Sequence, residues 1–449
     1  MLVLKFGGTS VKDANAMNRV LDIISKSQET QLVVLSACSG ITDKLLTLPH
    51  YAVNNNKIAL YETLEFIQRH HLNLFNDLIA SDNEYYLLGK KAIEVLLEEL
   101  YKFTESILFL KESTPKSLAK IVSFGELLST TIFHYFLNSK QINNVWLDVR
   151  SLLKTDSNFQ SAKVNFEGSS KLIQKIYNKD LIQGSKLAIT QGFIGADELG
   201  NTTTLGRGGS DYSAAIFGKL FNSNEVQIWT DVDGILTADP REVEDVRTIP
   251  VMEFDEVRTL AYLGAKVLHP QTLIPAVESS IPVKVLNSMN ATQQGTLIVN
   301  RIIEEKPVLH SVVRTDAVKI IFPLTQYDNF VHKALEILSI FEKSKTTIFF
   351  VSILPDALTI WFAHSCNILN DLDKLFHSTF FDLDLSLSLI TLVGINLEKL
   401  AIKKFFEEME ITSYSVVSNS SSNNIILSSS RNKAKELMKI ANELVIKYL

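Results

Sequence analysis

The chain has 449 residues, 46% of them hydrophobic and 21% charged, with a formal net charge of −6. That length favours two or three domains with sizeable cores, and the acidic balance offers no general attraction for nucleic acid or an anionic membrane surface. Cys38 and Cys366 match no metal or redox spacing and point to a reducing cytoplasm; no N-terminal targeting segment and no apolar run of the ~20 residues that a membrane helix needs is seen.

In chain order, strands are expected at 2–6, 31–37, 143–149, 185–194, 225–232 and 282–287, and helices at 11–27, 89–111, 125–138, 210–221 and 255–264. Short apolar strands alternating with helical patterns are the signature of an α/β domain with a mainly parallel sheet. Residues 57–111 read as a long, charged, mostly helical insertion, in which Arg69-His70-His71 has no partner at metal-ligand spacing and reads as a surface helix. Residues 287–301 are polar and turn-rich, a junction. Beyond it two segments repeat one pattern, with helices at 329–344, at 401–411 and from Lys433 and strands between them, which suggests two βαββαβ units in tandem.

Chemistry concentrates in the first part. "LVLKFGGTSV" runs a strand into a turn with almost no side chains, where free backbone N–H groups and a helix start form an anion site. Gly7 and Gly8 permit close approach, Thr9 and Ser10 add hydroxyls, and Lys5 supplies a point charge for a phosphate oxygen; a tight turn with a snorkelling lysine is the alternative. The spacing is neither a Walker A loop nor GxGxxG. A second glycine loop, "LGRGGSD", sets Arg207, Ser210 and Asp211 before a helix, and an arginine fork suits a carboxylate. "WTDVDGILTADPR" packs three aspartates before its Pro-Arg turn, a set able to bind a divalent ion, to line a nucleotide pocket or simply to bond the turn. Glu126 follows a glycine at an expected helix start, where a first-turn acid favoured by the helix dipole is the plain reading.

"KFGGTS", "GRGGSD", "TDVDGI…DPR" and "GAKVLHP", in this order, closely resemble the aspartate kinases of the amino-acid kinase superfamily. The resemblance spans nearly the whole chain and implies an αβα sandwich kinase domain with a mainly parallel sheet, followed by two ferredoxin-like (βαββαβ) ACT domains. The implied boundaries are 1–290 for the kinase domain, 291–307 for a linker, and 308–384 and 385–449 for the ACT domains, with strand 308–314 able to pair with the second. It implies transfer of the γ-phosphoryl group of ATP, with Mg²⁺, to the side-chain carboxylate of L-aspartate, opening lysine, threonine and methionine biosynthesis.

Residue by residue, the resemblance makes Lys5, Gly7, Gly8, Thr9 and Ser10 the phosphate cradle. Thr42, Glu126, Arg207 and Ser210 become the aspartate site, with Arg207 on the α-carboxylate and Glu126 near the α-amino group. Asp211 organises the catalytic charges, and Thr230, Asp231, Arg241 and Lys266 form the nucleotide site. Leu236 stands where many members carry tyrosine. A carboxylate nucleophile with a pKa near ~4 is ionised at neutral pH, so the reaction needs no general base.

The same resemblance implies a cytoplasmic homodimer that binds an amino-acid effector such as lysine at its ACT domains. The family's effector loop usually carries an aspartate and then a Thr-Ser-Glu run. Here Phe349, Ile353, Leu354 and Pro355 stand at those places, and apolar groups bind neither an ammonium nor a carboxylate. Weak or absent lysine inhibition, or a different effector, is therefore expected. Two other readings are an amino-acid kinase acting on another substrate and an amino-acid-sensing protein whose kinase part is inactive; intact Lys5, Arg207 and Asp211 speak against the second.

Overall fold

The computed structural model describes all residues except 177–184, 266, 267, 269, 305, 326, 365–367, 373–380, 401–413 and 419–422. Lys266, Cys366 and the helix expected at 401–411 lie outside the described residues. In chain order the elements run β1 (Leu2–Phe6), α1 (Ala14–Ile24), β2 (Gln31–Leu35), α2 (Ile41–Val53), α3 (Lys57–Leu78), α4 (Tyr86–Leu110), α5 (Pro115–Ser139) and β3 (Val145–Leu147). There follow α6 (Phe166–Ile176), β4 (Leu187–Gln191), β5 (Ile194–Ala196), β6 (Thr202–Thr204), α7 (Gly209–Phe221), β7 (Glu225–Thr230), β8 (Val251–Glu253) and α8 (Phe254–Tyr262). The rest are α9 (Pro270–Glu278), β9 (Val283–Asn287), β10 (Thr296–Val299), β11 (Val308–Pro323), α10 (Phe330–Lys343), β12 (Ile348–Ile353), β13 (Ala357–Phe362), β14 (Asp382–Ile395), β15 (Ser415–Ser418), β16 (Asn424–Ser430) and a C-terminal helix, Arg431–Tyr448.

Packing divides the chain into two units, residues 1–235 with 268–300 and residues 236–267 with 301–449. In the first, seven strands lie in the order β3-β4-β2-β1-β7-β9-β10. All neighbours are parallel except β9 and β10. Every residue of β2 is buried, as expected of a central strand covered by helices on both faces. The register aligns Phe6 with Leu35 and Trp229, and Leu35 with Gln191. Loops leaving four parallel strands therefore emerge at one carboxyl edge, where open α/β sheets place their ligands.

The helical insertion differs from its expected surface character at one residue. Leu60, Leu64, Ile67, His71, Leu74 and Leu78 form one buried stripe of α3 at spacings of three and four, so His71 belongs to the core while Arg69 stays exposed. Its Nδ1 pairs with the Ile67 carbonyl at 2.7 Å. Two helix starts also move. The positive end expected at residue 11 is a short 3₁₀ turn, Gly8–Val11, and α1 begins after Asp13, whose carboxylate accepts the Ala16 N–H. Helix α5 begins at Pro115 behind a Thr114–Ser117 capping box, so Glu126 sits mid-helix and the helix-dipole reading of it fails.

The second unit holds one six-stranded antiparallel sheet, β12-β13-β11-β14-β16-β15. Its two long central strands, β11 and β14, are shared by the two halves expected as tandem units: the start of β11 pairs with the end of β14, and the end of β11 also pairs with β13. Each half has its own core. One gathers Ile320, Phe341 and Phe362; the other gathers Leu309, Leu392, Leu437 and Met438.

A boundary near residue 290 would leave residues 236–267 with the kinase domain, but they pack in this unit. Ala238 and Val243 join the core beside the C-terminal helix, Glu256 bonds His310 at 2.6 Å, and Arg314 pairs with Glu242 at 3.0 Å.

Candidate active site

At the carboxyl edge of the parallel sheet the loop after β1 lies against the loop after β2. The Ser39 N–H donates to the Gly8 carbonyl at 3.1 Å, and a Cβ on Gly8 would come within 2.8 Å of the Ala37 carbonyl oxygen. Only a residue without a side chain allows that approach.

Across from them, α7 starts at Gly208, whose left-handed backbone (φ +70°) provides the cap without any side-chain hydrogen bond. The Gly209 N–H turns back to the Gly206 carbonyl at 3.0 Å, which leaves the next N–H groups of the helix, those of Ser210 and Asp211, open at its positive end.

Between these segments lies a cavity of about 390 Å³ whose wall includes Lys5, Gly8, Thr42, Glu126, Arg207, Ser210 and Asp211. Both glycine loops thus face the same space. The Lys5 Nζ is 2.6 Å from the Asp211 Oδ1, with both side chains largely buried. The pair holds the ammonium group at a fixed point in the cavity while leaving it further N–H donors. Arg207 stands exposed at the rim.

Glu126 is only 3% exposed; its Oε1 accepts the Ala37 N–H at 3.2 Å, and its Oε2 is buried without a partner. Burial pushes this carboxyl up to about 8, against the smaller opposing effect of the Ala37 hydrogen bond. Cys38, beside it on the wall, donates to the Val11 carbonyl and is pushed by burial up to about 12, a packed and unreactive thiol.

The other expected residues are not among those lining this cavity. Gly7 and Thr9 belong to the loop after β1 without lining the cavity, and the Ser10 hydroxyl is buried against Ser288 at 2.7 Å. That bond ties the two loops together. Thr230 ends β7, the strand beside β1, and donates to the Asp231 carboxylate that follows it at 3.2 Å. Arg241 belongs to the second unit, exposed and held by Asp239 through two guanidinium nitrogens. Ser36, Ala37, Ser39 and Phe193 also line the cavity. Sequence reasoning missed them because their chemistry is ordinary; their one signal is position directly after a strand.

Residues 1–287 match the amino acid kinase family. The chain belongs to that family, in its aspartokinase branch. The lysine-sensitive aspartokinase 3 of Escherichia coli is 40% identical over 308 residues, 67% of this chain and 64% of that relative's length. Among solved structures, E. coli aspartokinase III in complex with lysine and aspartate, in its T-state, is 30% identical with a TM-score of 0.81, covering 99% of each chain. The same aspartokinase in complex with aspartate and ADP, in its R-state, has a TM-score of 0.79 at 30% identity, over 99% of this chain and 100% of that one. The aspartokinase architecture thus extends across both units of the chain.

Proposed function

We propose that the chain is an ATP-dependent aspartate kinase that forms 4-phospho-L-aspartate. The observation that carries this reading is the single cavity in which Lys5, Glu126 and the trio Arg207, Ser210 and Asp211 converge from three separate segments of sequence. Its volume suits a small diacid meeting a terminal phosphate.

The chemistry follows from the side chains. The substrate carboxylate attacks already ionised, so the task is to bring two anions together and to stabilise charge on the transferring group. Lys5, fixed by Asp211, faces that charge, and the open N–H groups at the start of α7 add donors that need no reorganisation. Arg207 offers a fork to the α-carboxylate, and Glu126 Oε2 awaits a cation such as the α-ammonium group.

Among the described residues no cluster of three His, Cys, Asp or Glu side chains is built to hold a metal by itself. That suits Mg²⁺ arriving on the nucleotide phosphates, bound through few protein carboxylates, with Asp211 the carboxylate beside Lys5. When bound, Mg²⁺ supplies charge neutralisation at the phosphates.

The test is a hydroxamate assay with ATP and Mg²⁺, offering aspartate, glutamate and N-acetylglutamate in parallel. Product from aspartate alone is expected; turnover of either other acid in its place would assign a different substrate.

We further place the enzyme in the cytoplasm as a homodimer; sedimentation of the full chain reads the oligomer. No described helix is long and apolar enough to cross a membrane. In the second unit, Ile353 and Leu354 are exposed where the family's effector loop carries polar groups, which supports a weak response to lysine.

A further inference from the structure

The loop carrying Arg207, Ser210 and Asp211 rests on an aromatic residue in a backbone conformation that aromatic residues rarely adopt. Phe193 has φ +68°, and across it the Ile194 N–H donates to the Gly192 carbonyl at 2.8 Å. A three-residue turn with positive φ at its centre is the rare, strained form, and a bulky side chain in it persists only when the surroundings over-determine it.

The surroundings here are the second glycine loop. The Phe193 N–H donates to Ser213 Oγ at 2.9 Å, and that hydroxyl bonds the Gly209 carbonyl at 2.9 Å. The Phe193 carbonyl accepts the Leu205 N–H at 2.8 Å. Its ring lies so close to Gly209 that a Cβ there would fall 2.5 Å from Phe193 Cδ2, and a Cβ on Gly192 would fall 2.8 Å from Ser210 Cβ. Gly192 and Phe193 thus grip both ends of the turn that leads into α7.

We propose that Phe193 is a positioning residue: its ring and strained turn act as a wedge that sets segment 205–211, and through it Arg207, Ser210 and Asp211, at the distance from Lys5 that aspartate phosphorylation needs. The inference rests on the proposed function for its substrate, but the wedge itself is readable without turnover.

The experiment compares Phe193→Gly, which removes ring and strain, Phe193→Asn, which tolerates left-handed backbone but lacks the ring, and Phe193→Tyr, which keeps the ring. Hydrogen–deuterium exchange of ligand-free protein is expected to quicken about tenfold or more in residues 205–213 for the first two variants, with little change in the other strands of the first unit, and to return to wild-type rates in Phe193→Tyr. In kinetics, the KM for aspartate should rise about tenfold while the KM for ATP stays within about twofold, since misplacement of about 1 Å on one side of a site costs up to about a hundredfold.

Unchanged exchange in 205–213, or an equal rise in exchange across the whole unit with both KM values rising together, overturns the wedge. If Phe193→Gly does not fold, Phe193→Asn decides. A wild-type protein that phosphorylates no aspartate overturns the proposed function instead, and the exchange pattern still decides the wedge.

Discussion

Glu126 shows at the scale of one residue how a binding site is held at a cost in stability. Its folded pKa, raised by burial from 4.5 to about 8, keeps the carboxyl largely protonated at neutral pH. An ammonium group docking at Oε2 requires the ionised form. The KM for aspartate is therefore expected to fall as pH rises toward 8, by up to about tenfold per unit, and to level off above it; a Glu126→Gln variant should lose this dependence and bind aspartate poorly. The stability sign is opposite. A folded pKa above the unfolded one gives stability that is full below about 4.5 and lost as pH rises through about 8. Thermal melts should then show Glu126→Gln gaining on wild type between pH 5 and pH 8, and no relative gain would contradict the buried carboxyl. Lys5 makes the complementary case. Lys5→Met keeps the stem but loses the charge, and kcat is expected to drop about 10²–10³-fold, the scale of one lost transition-state contact; turnover near wild type would remove Lys5 from the mechanism.

At the scale of elements, α3 turns a polar residue into a core residue. His71 is fully buried, and desolvation, outweighing the Ile67 hydrogen bond, lowers it from 6.5 to about 4. The unfolded chain binds a proton below about 6.5 that the folded chain refuses until about 4, so stability falls as pH drops through that window, by about 3 kcal/mol at the limit. His71→Leu should flatten the acid side of the melting curve between pH 6.5 and 4; an unchanged curve would show that the imidazole is solvated in solution. The same helix shows what sequence can carry. Its stripe from Leu60 to Leu78 was periodic enough to give a helix, but one polar residue within the stripe read as surface, since burial of an imidazole is set by the helices that pack on α3, among them α2, α4 and α5. Helix α5 begins ten residues before its expected start, at a Thr114-Pro115 start signal, and Leu118, Ile121 and Val122 already stand there at helical spacing. The glycine loops were legible because their function demands missing side chains, a local property. The grip of Gly192 and Phe193 was not, because a positive φ on a phenylalanine is imposed by Leu205 and Ser213, not by its own neighbours in sequence.

For the molecule as a whole, the strand pattern gave the parallel sheet and the paired C-terminal halves, yet it could not show that residues 236–267 would leave the contiguous N-terminal stretch to pack with the second unit. Charge and apolar spacing in that segment are unremarkable by themselves; its partners, Leu309, Met438, His310 and Asn442, lie from about fifty to two hundred residues further on. The consequence is testable by truncation. A chain ending at residue 300 keeps Ala238, Val243 and Glu256 but removes everything that covers them in this unit, leaving a buried carboxylate without His310 and apolar side chains in water. Exposure of that kind favours association. The truncated chain is expected to bind an apolar dye and to aggregate on heating well below the full chain, and adding the double change Val243→Ser and Glu256→Gln should relieve part of that aggregation. A truncated chain that stays soluble and melts like the intact one would mean that residues 236–267 find their core within the first 300 residues, and the division of the chain drawn from its packing would fail.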